Sequence, residues 1–246
     1  MKIWVVLPAY NEEEALPPLL DSLIESFTEE RKDFAIIVVN DGSKDRTGEV
    51  AEAYSKKAPV LALHNDGNKG LAETMRHGLM EAVKRAGGKG IIVTMDADNT
   101  HPAGLALRMA RLIREGNDVV IASRYREGSA VIGVPWHRRL LSIVAAWLFR
   151  ITFPMRGVRD YTCGYRAYRA GLMKQLIDKH GRDFISERGF SCMVDILLRL
   201  REMEPVCTEV PLVLRYDWKP GLSKMKVFQT VTDTLKLILR RRFLGR

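Results

Sequence analysis

The sequence predicts an α/β domain built on a mostly parallel central sheet and carrying amphipathic helices late in the chain. Three observations support this. Apolar, β-branched runs recur through the first half at Ile3–Leu7, Phe34–Val39, Val60–Leu63, Gly90–Met95 and Asp118–Ala122. Helical patterns of about 12–16 residues separate most of them, the spacing of βαβ units. Two later stretches, 136–153 and 226–243, place apolar residues at helical intervals beside arginines. At 246 residues the chain fits one large domain better than two.

Taken in order, Asn11 is positioned to cap the first helix, with Glu12, Glu13 and Glu14 in a first turn whose dipole favours acids. Pro17 and Pro18 fall early enough to be tolerated there. Ser43 precedes a second helix that begins near Lys44. After Ser123 the alternation stops, and Gly128, Gly133 and Pro135 lead into a helix over Trp136–Phe153. Helices follow near Gly171–Lys179 and Gly189–Met203, then a strand near Val206–Leu214. A closing helix runs from Lys226 to about Phe243. The division is a catalytic domain over 1–225 and a basic amphipathic helix over 226–246.

Composition narrows the partners. The net charge is +9, with Arg240, Arg241, Arg242 and Arg246 clustered at the end, which suits an anionic partner. Nucleic acid is not expected, because the basic residues accompany amphipathic helices and not base-stacking aromatics. Cys163, Cys192 and Cys207 lack the close pairing of a zinc or redox motif and read as reduced thiols. The N-terminus runs straight into a strand and lacks a signal-peptide cleavage pattern. The apolar run Leu140–Phe149 stops at Arg150, short of the roughly 20 residues that span a bilayer. Membrane contact is therefore expected to be peripheral.

In open parallel sheets ligands bind beyond the carboxyl ends of the strands. Those positions hold Pro8-Ala9-Tyr10-Asn11-Glu12, Asn40-Asp41-Gly42-Ser43-Lys44-Asp45-Arg46-Thr47 and Asp96-Ala97-Asp98. Tyr10 could stack on a base, Glu12 bind a ribose hydroxyl, and Asp41 accept hydrogen bonds from base or ribose. No Gly-x-Gly-x-x-Gly follows the first strand, which disfavours a dinucleotide site. Asp96 and Asp98 offer hard oxygen ligands for Mg²⁺ or Mn²⁺ near a diphosphate. A competing reading makes Asn99 or Thr100, ahead of Pro102, a helix cap.

These motifs, with Asn68-Lys69-Gly70-Leu71, resemble the inverting family-two glycosyltransferases of GT-A fold, a Rossmann-like nucleotide-sugar-binding architecture. The continuation Asn99-Thr100-His101-Pro102, then Ser123-Arg124-Tyr125, then Asp160-Tyr161-Thr162-Cys163-Gly164-Tyr165-Arg166, is similar to the polyprenyl (dolichyl) phosphate mannose synthases. The resemblance implies that Pro8, Tyr10, Glu12, Asp41, Lys69 and Ala97 hold the donor and that Asp96, Asp98 and Thr100 hold the metal. It also implies that Arg124, Arg138, Ser142 and Lys224 surround the phosphates, with Asp96, Asp98 and Arg124 as the catalytic set. Thr100 stands where a glutamine is common, and Asn40 where an aspartate is, a position that could bear on which base is read. Asp195 replaces a usual glutamate and either touches the donor sugar or caps local structure.

The implied reaction moves mannose from GDP-mannose onto a polyprenyl or dolichyl phosphate with inversion, at the cytoplasmic face of a membrane, with or without a membrane-protein anchor. UDP-glucose, UDP-N-acetylhexosamine and a non-lipid acceptor are the alternatives. A sugar nucleotidyltransferase should open with a Gly-rich, Arg-containing loop after the first strand, where this chain has Pro8-Ala9-Tyr10-Asn11-Glu12.

Overall fold

The computed structural model describes residues 1–189, 191–218 and 238–239. Its main sheet contains seven strands in the order β3-β2-β1-β4-β7-β5-β8. These are β1 (Ile3–Ala9), β2 (Phe34–Asn40), β3 (Val60–His64), β4 (Ile91–Thr94), β5 (Val119–Ser123), β7 (Arg166–Arg169) and β8 (Cys207–Pro211). All pairings are parallel except those of β7, which runs antiparallel between β4 and β5. A second, two-stranded parallel ribbon joins β6 (Ala130–Ile132) to β9 (Val213–Arg215).

The five expected strands are present: β1, β2, β4 and β5 are apolar runs buried on both faces of the sheet, and β3 is a half-buried apolar run at its edge. β7 escapes the pattern, since its Arg-Ala-Tyr-Arg sequence carries a charge into the core: Arg166 is fully buried. Its guanidinium donates to the carbonyls of Met193 and Tyr161, both at 2.6 Å. The strand expected over Val206–Leu214 is two. Pro211 lacks an N–H for further pairing and the chain crosses there from the main sheet to the ribbon.

The helices are α1 (Leu16–Glu29), α2 (Thr47–Ser55), α3 (Leu71–Ala86), α4 (Gly104–Arg114), α5 (Trp136–Thr152), α6 (Ala170–His180) and α7 (Ser191–Arg201). Neither expected cap holds. α1 starts at Leu16 and α2 at Thr47, and neither has a side-chain cap or follows Asn11 or Ser43 directly. The two loops lace each other instead. The Asn11 N–H donates to Ser43 Oγ at 3.0 Å, and the Lys44 N–H to Asn11 Oδ1 at 2.8 Å. The Glu12 N–H donates to Thr47 Oγ1 at 2.8 Å. Polar groups that look like caps in one dimension thus fix two adjacent strand-end loops to one another.

α3 lies so close to the sheet that Gly78 has no room for a side chain. A Cβ there would stand 2.5 Å from Val6 Cγ1 and 3.0 Å from Val39 Cγ2. Gly78→Ala should therefore cost about 1–3 kcal/mol through overpacking, despite alanine's better helix propensity. Calorimetry should show the melting point falling by several degrees; an unchanged value would mean that α3 can lift from the sheet.

The helix expected over 136–153 is α5. It is anchored on one side only, by buried Phe149, whose ring stacks on Tyr161 at 5.7 Å. Its other side leaves Trp136 77% and Trp147 61% exposed, with Leu140 and Ile151 also outside. Among the described residues no helix is long and apolar enough to cross a membrane. The helix expected over Lys226–Phe243 lies almost wholly outside the described residues.

Candidate active site

The strand ends converge on one cavity of about 1030 Å³. Pro8, Tyr10 and Glu12 enter it from β1, Asp41 from β2, Asp96, Ala97, Asp98 and Thr100 from β4, and Arg124 from β5. Arg138 and Ser142 reach it from the start of α5. Lys69 is not in the lining and contributes its backbone N–H, as described below. Lys224 lies outside the described residues.

Asp41 is 3% exposed, and its carboxylate is occupied by protein donors. Oδ1 accepts from Lys69 N at 2.8 Å and Asn65 Nδ2 at 2.9 Å, and Oδ2 from Gly70 N at 2.9 Å. Its demonstrated work is to clamp the loop ahead of α3 against the site. Gly42 makes room for that loop, since a Cβ on it would fall 2.4 Å from the Gly67 carbonyl carbon. Asn40 does not line the cavity: its Oδ1 accepts from Ser43 N and its Nδ2 pairs with His64 Nδ1.

At the β4 end, Asn99 adopts φ 58°, and Asp98 Oδ1 accepts from the Thr100 hydroxyl at 2.7 Å and its N–H at 3.3 Å. α4 begins later, without a side-chain cap, so neither Asn99 nor Thr100 caps it. The Thr100 hydroxyl proton goes to Asp98, which makes Thr100 an orienting group for that carboxylate. His101 is buried, accepts from Asp96 N at 3.4 Å and stacks on Tyr165 at 4.9 Å. Among the described residues no cluster of three or more His, Cys, Asp or Glu side chains suits a cation. Two carboxylates are nonetheless the protein set that Mg²⁺ uses when diphosphate oxygens and water complete its shell. Asp96 and Asp98 fit that chemistry.

Arg124 is held by a residue to which the sequence assigns no role. Asp160, fully buried, accepts from Arg124 Nε at 2.9 Å and Nη2 at 2.8 Å, a bidentate pair. It also takes the N–H groups of Arg124, Thr162 and Cys163. Burial alone would lower the Arg124 pKa and raise that of Asp160. Their attraction outweighs it, so arginine moves up and the carboxyl down. Arg124 Nη2 also donates to Thr162 Oγ1 at 2.6 Å. No local signal links Arg124 to Asp160, because the pairing spans 36 residues.

Near α5, the Tyr125 hydroxyl lies 2.7 Å from Ser142 Oγ, and Arg138 lies within 3.4 Å of the Tyr216 hydroxyl. The cavity continues there over Leu141, Ile143, Val144 and Leu148. One end of the site is thus acidic and polar and the other aliphatic. Asp195 stands apart, accepting from Ser186 N at 2.6 Å and Ser186 Oγ at 3.0 Å. Of its two expected roles, the contacts show the one of shaping local structure.

Comparison with known proteins agrees with this geometry. Residues 4–180 match the family described as Glycosyl transferase family 2. The dolichol-phosphate mannosyltransferase of Pyrococcus furiosus is 32% identical over 98% of this chain, which spans 63% of that protein's length. The polyprenol monophosphomannose synthase of Mycolicibacterium smegmatis is 30% identical over 90% of this chain and 80% of its own. Glucosyl-3-phosphoglycerate synthase from Mycobacterium tuberculosis, solved with Mn²⁺, UDP and phosphoglyceric acid, superposes with a TM-score of 0.63 at 21% identity. It matches 98% of this chain and 78% of that one. That likeness shows the GT-A fold.

Proposed function

The chain belongs to glycosyl transferase family 2, and from that premise we propose that it transfers a sugar from a nucleotide-sugar to a polyprenyl phosphate. The observation that carries the reading is the two-ended cavity, in which acidic strand ends meet the aliphatic face of α5 across Arg124, Arg138 and Ser142. A prenyl chain would lie along α5 with its phosphate at the basic groups and the donor at the strand ends. GDP-mannose is the favoured donor, since the two sequence relatives named above are by name a dolichol-phosphate mannosyltransferase and a polyprenol monophosphomannose synthase.

In this reading Pro8, Tyr10 and Glu12 flank the nucleoside, while Asp41 shapes the loop beside it, with Lys69 at its edge. Asp96 and Asp98 hold Mg²⁺ or Mn²⁺, with Thr100 orienting Asp98. The cation supplies Lewis-acid stabilisation of the departing nucleoside diphosphate. Arg124, Arg138 and Lys224 offset repulsion between the acceptor phosphate and the donor diphosphate. A phosphate monoester, with a second pKa near 6, is already largely ionised at neutral pH and needs no strong general base. Attack opposite the leaving nucleotide gives a β-linked product from an α-linked donor.

The test is transfer of radiolabel from GDP-mannose, UDP-glucose or UDP-N-acetylglucosamine into organic-extractable lipid, with polyprenyl phosphate, Mn²⁺ and an EDTA control. Lipid label from GDP-mannose alone, lost with EDTA, is expected. Label from a UDP-sugar reassigns the donor, and metal-dependent donor hydrolysis with no lipid label removes the lipid acceptor.

The exposed apolar face of α5 supports a peripheral position for the enzyme, at the cytoplasmic face of a membrane in this reading, with or without a protein anchor. Trp147 is exposed and outside the cavity lining. Trp147→Glu should reduce co-sedimentation with anionic vesicles while sparing transfer to a short, water-soluble prenyl phosphate. Undiminished sedimentation would assign membrane contact to another surface.

A further inference from the structure

Beneath the Arg124–Asp160 pair lies a second acidic residue. Glu209 sits on β8, where it registers against Ile121 of β5, and it is 6% exposed. Its Oε1 accepts the N–H of Arg159 at 2.6 Å and of Asp160 at 2.7 Å. Its Oε2 is buried without a hydrogen bond. Glu209 therefore fixes the main chain of the residue whose side chain grips Arg124. Asp160 in turn commits Arg124 Nε and Nη2, leaving the cavity-lining guanidinium with Nη1, which donates to no protein group among the described residues.

A buried carboxyl beside a buried carboxylate is a costly choice for a purely structural support, since an uncharged side chain could fill the space. What it provides is two short acceptor contacts at one oxygen, aimed at consecutive N–H groups. We infer that Glu209 is a positioning residue, which through the main chain of Arg159 and Asp160 sets where Arg124 presents Nη1 to the anionic substrates. This rests on the reading of Arg124 given above.

Both backbone contacts run through Oε1. Burial, with Asp160 adding its charge, pushes the Glu209 carboxyl upward despite the two backbone bonds and the opposing pull of the Ser123 side chain. Reach therefore matters more than charge. Glutamine keeps the reach and loses the charge, whereas aspartate keeps the charge and loses one methylene of reach.

The experiment compares Glu209→Gln, Glu209→Asp and Arg124→Ala, and Glu209→Asp combined with Arg124→Ala, in the full chain. It reads kcat and KM for lipid transfer with the donor that the radiolabel assay identifies, alongside melting points. Glu209→Gln should retain most activity. Glu209→Asp should lose roughly tenfold in kcat/KM, the scale of a disturbed supporting contact, and should cost nothing further once Arg124 is alanine. A purely structural role would make activity follow the melting point and persist in the double variant, which would overturn the proposal. So would Glu209→Asp at the wild-type rate while Arg124→Ala is impaired, an outcome that leaves the reading of Arg124 intact. Arg124→Ala at the wild-type rate, or a wild-type chain inactive with every donor, would sink that reading and this inference together.

Discussion

Asp98→Ala should lower sugar transfer by about 1000-fold or more, the effect of removing one of the two carboxylates proposed to hold the cation. Asp98 is 9% exposed and is oriented by the Thr100 hydroxyl and N–H. With alanine the cation would keep Asp96 and water, a site too weak to stay occupied at ordinary metal concentrations. Asp98→Asn retains a neutral oxygen, so its loss should be smaller and partly recovered by raising Mn²⁺. Thr100→Val removes the orienting hydroxyl and should fall between the two. Activity of Asp98→Ala within roughly tenfold of wild type would move the cation off this pair.

The second large effect is on stability. Asp160→Ala strands an arginine whose side chain is only 20% exposed, and breaking a buried pair from one side costs about 3–5 kcal/mol. In a chain of this size the melting point should fall by about 10 °C. Asp160→Asn keeps some of the hydrogen bonds and should lose less. The pH dependence has a fixed sign. A carboxyl whose folded pKa is depressed stabilises the fold above its unfolded value of 3.8 and loses that contribution as pH falls through the lower, folded value. The gap between wild type and Asp160→Asn should therefore be full at neutral pH and narrow below pH 3.8. A gap that is independent of pH would mean that the carboxylate is not charged in the fold.

The parts of this molecule that were legible in the sequence are those in which neighbours in the chain are neighbours in space. A buried parallel strand is a continuous apolar run, so β1 to β5 could be placed, and the rule that ligands gather at carboxyl strand ends then located Tyr10, Asp41, Asp96 and Arg124. The partner of each polar group was not legible. Asn11 and Ser43 have the chemistry of caps, but bond each other's loops across 32 residues. Asp41 offers what a ribose would want, and the loop at Asn65–Gly70 takes it. β7 was hidden because Arg166 is a core residue with the signature of a surface one. Glu209 looks like an ordinary polar position on an edge strand until the Arg159–Asp160 turn is seen lying over it.

The placement of β7 also has a consequence for synthesis. β1, β2, β3 and β4 find partners among themselves, so that half of the sheet can assemble as it emerges from the ribosome. β5 cannot join it, because its hydrogen-bonding neighbours are β7 and β8, and both are made later. In the interval Val119-Val120-Ile121-Ala122-Ser123 is an apolar strand with both edges open, the kind of segment that chaperones bind and that seeds aggregation. Nascent chains stalled between β5 and β7 should be the most chaperone-dependent of any length, and release should coincide with the emergence of Arg166–Arg169.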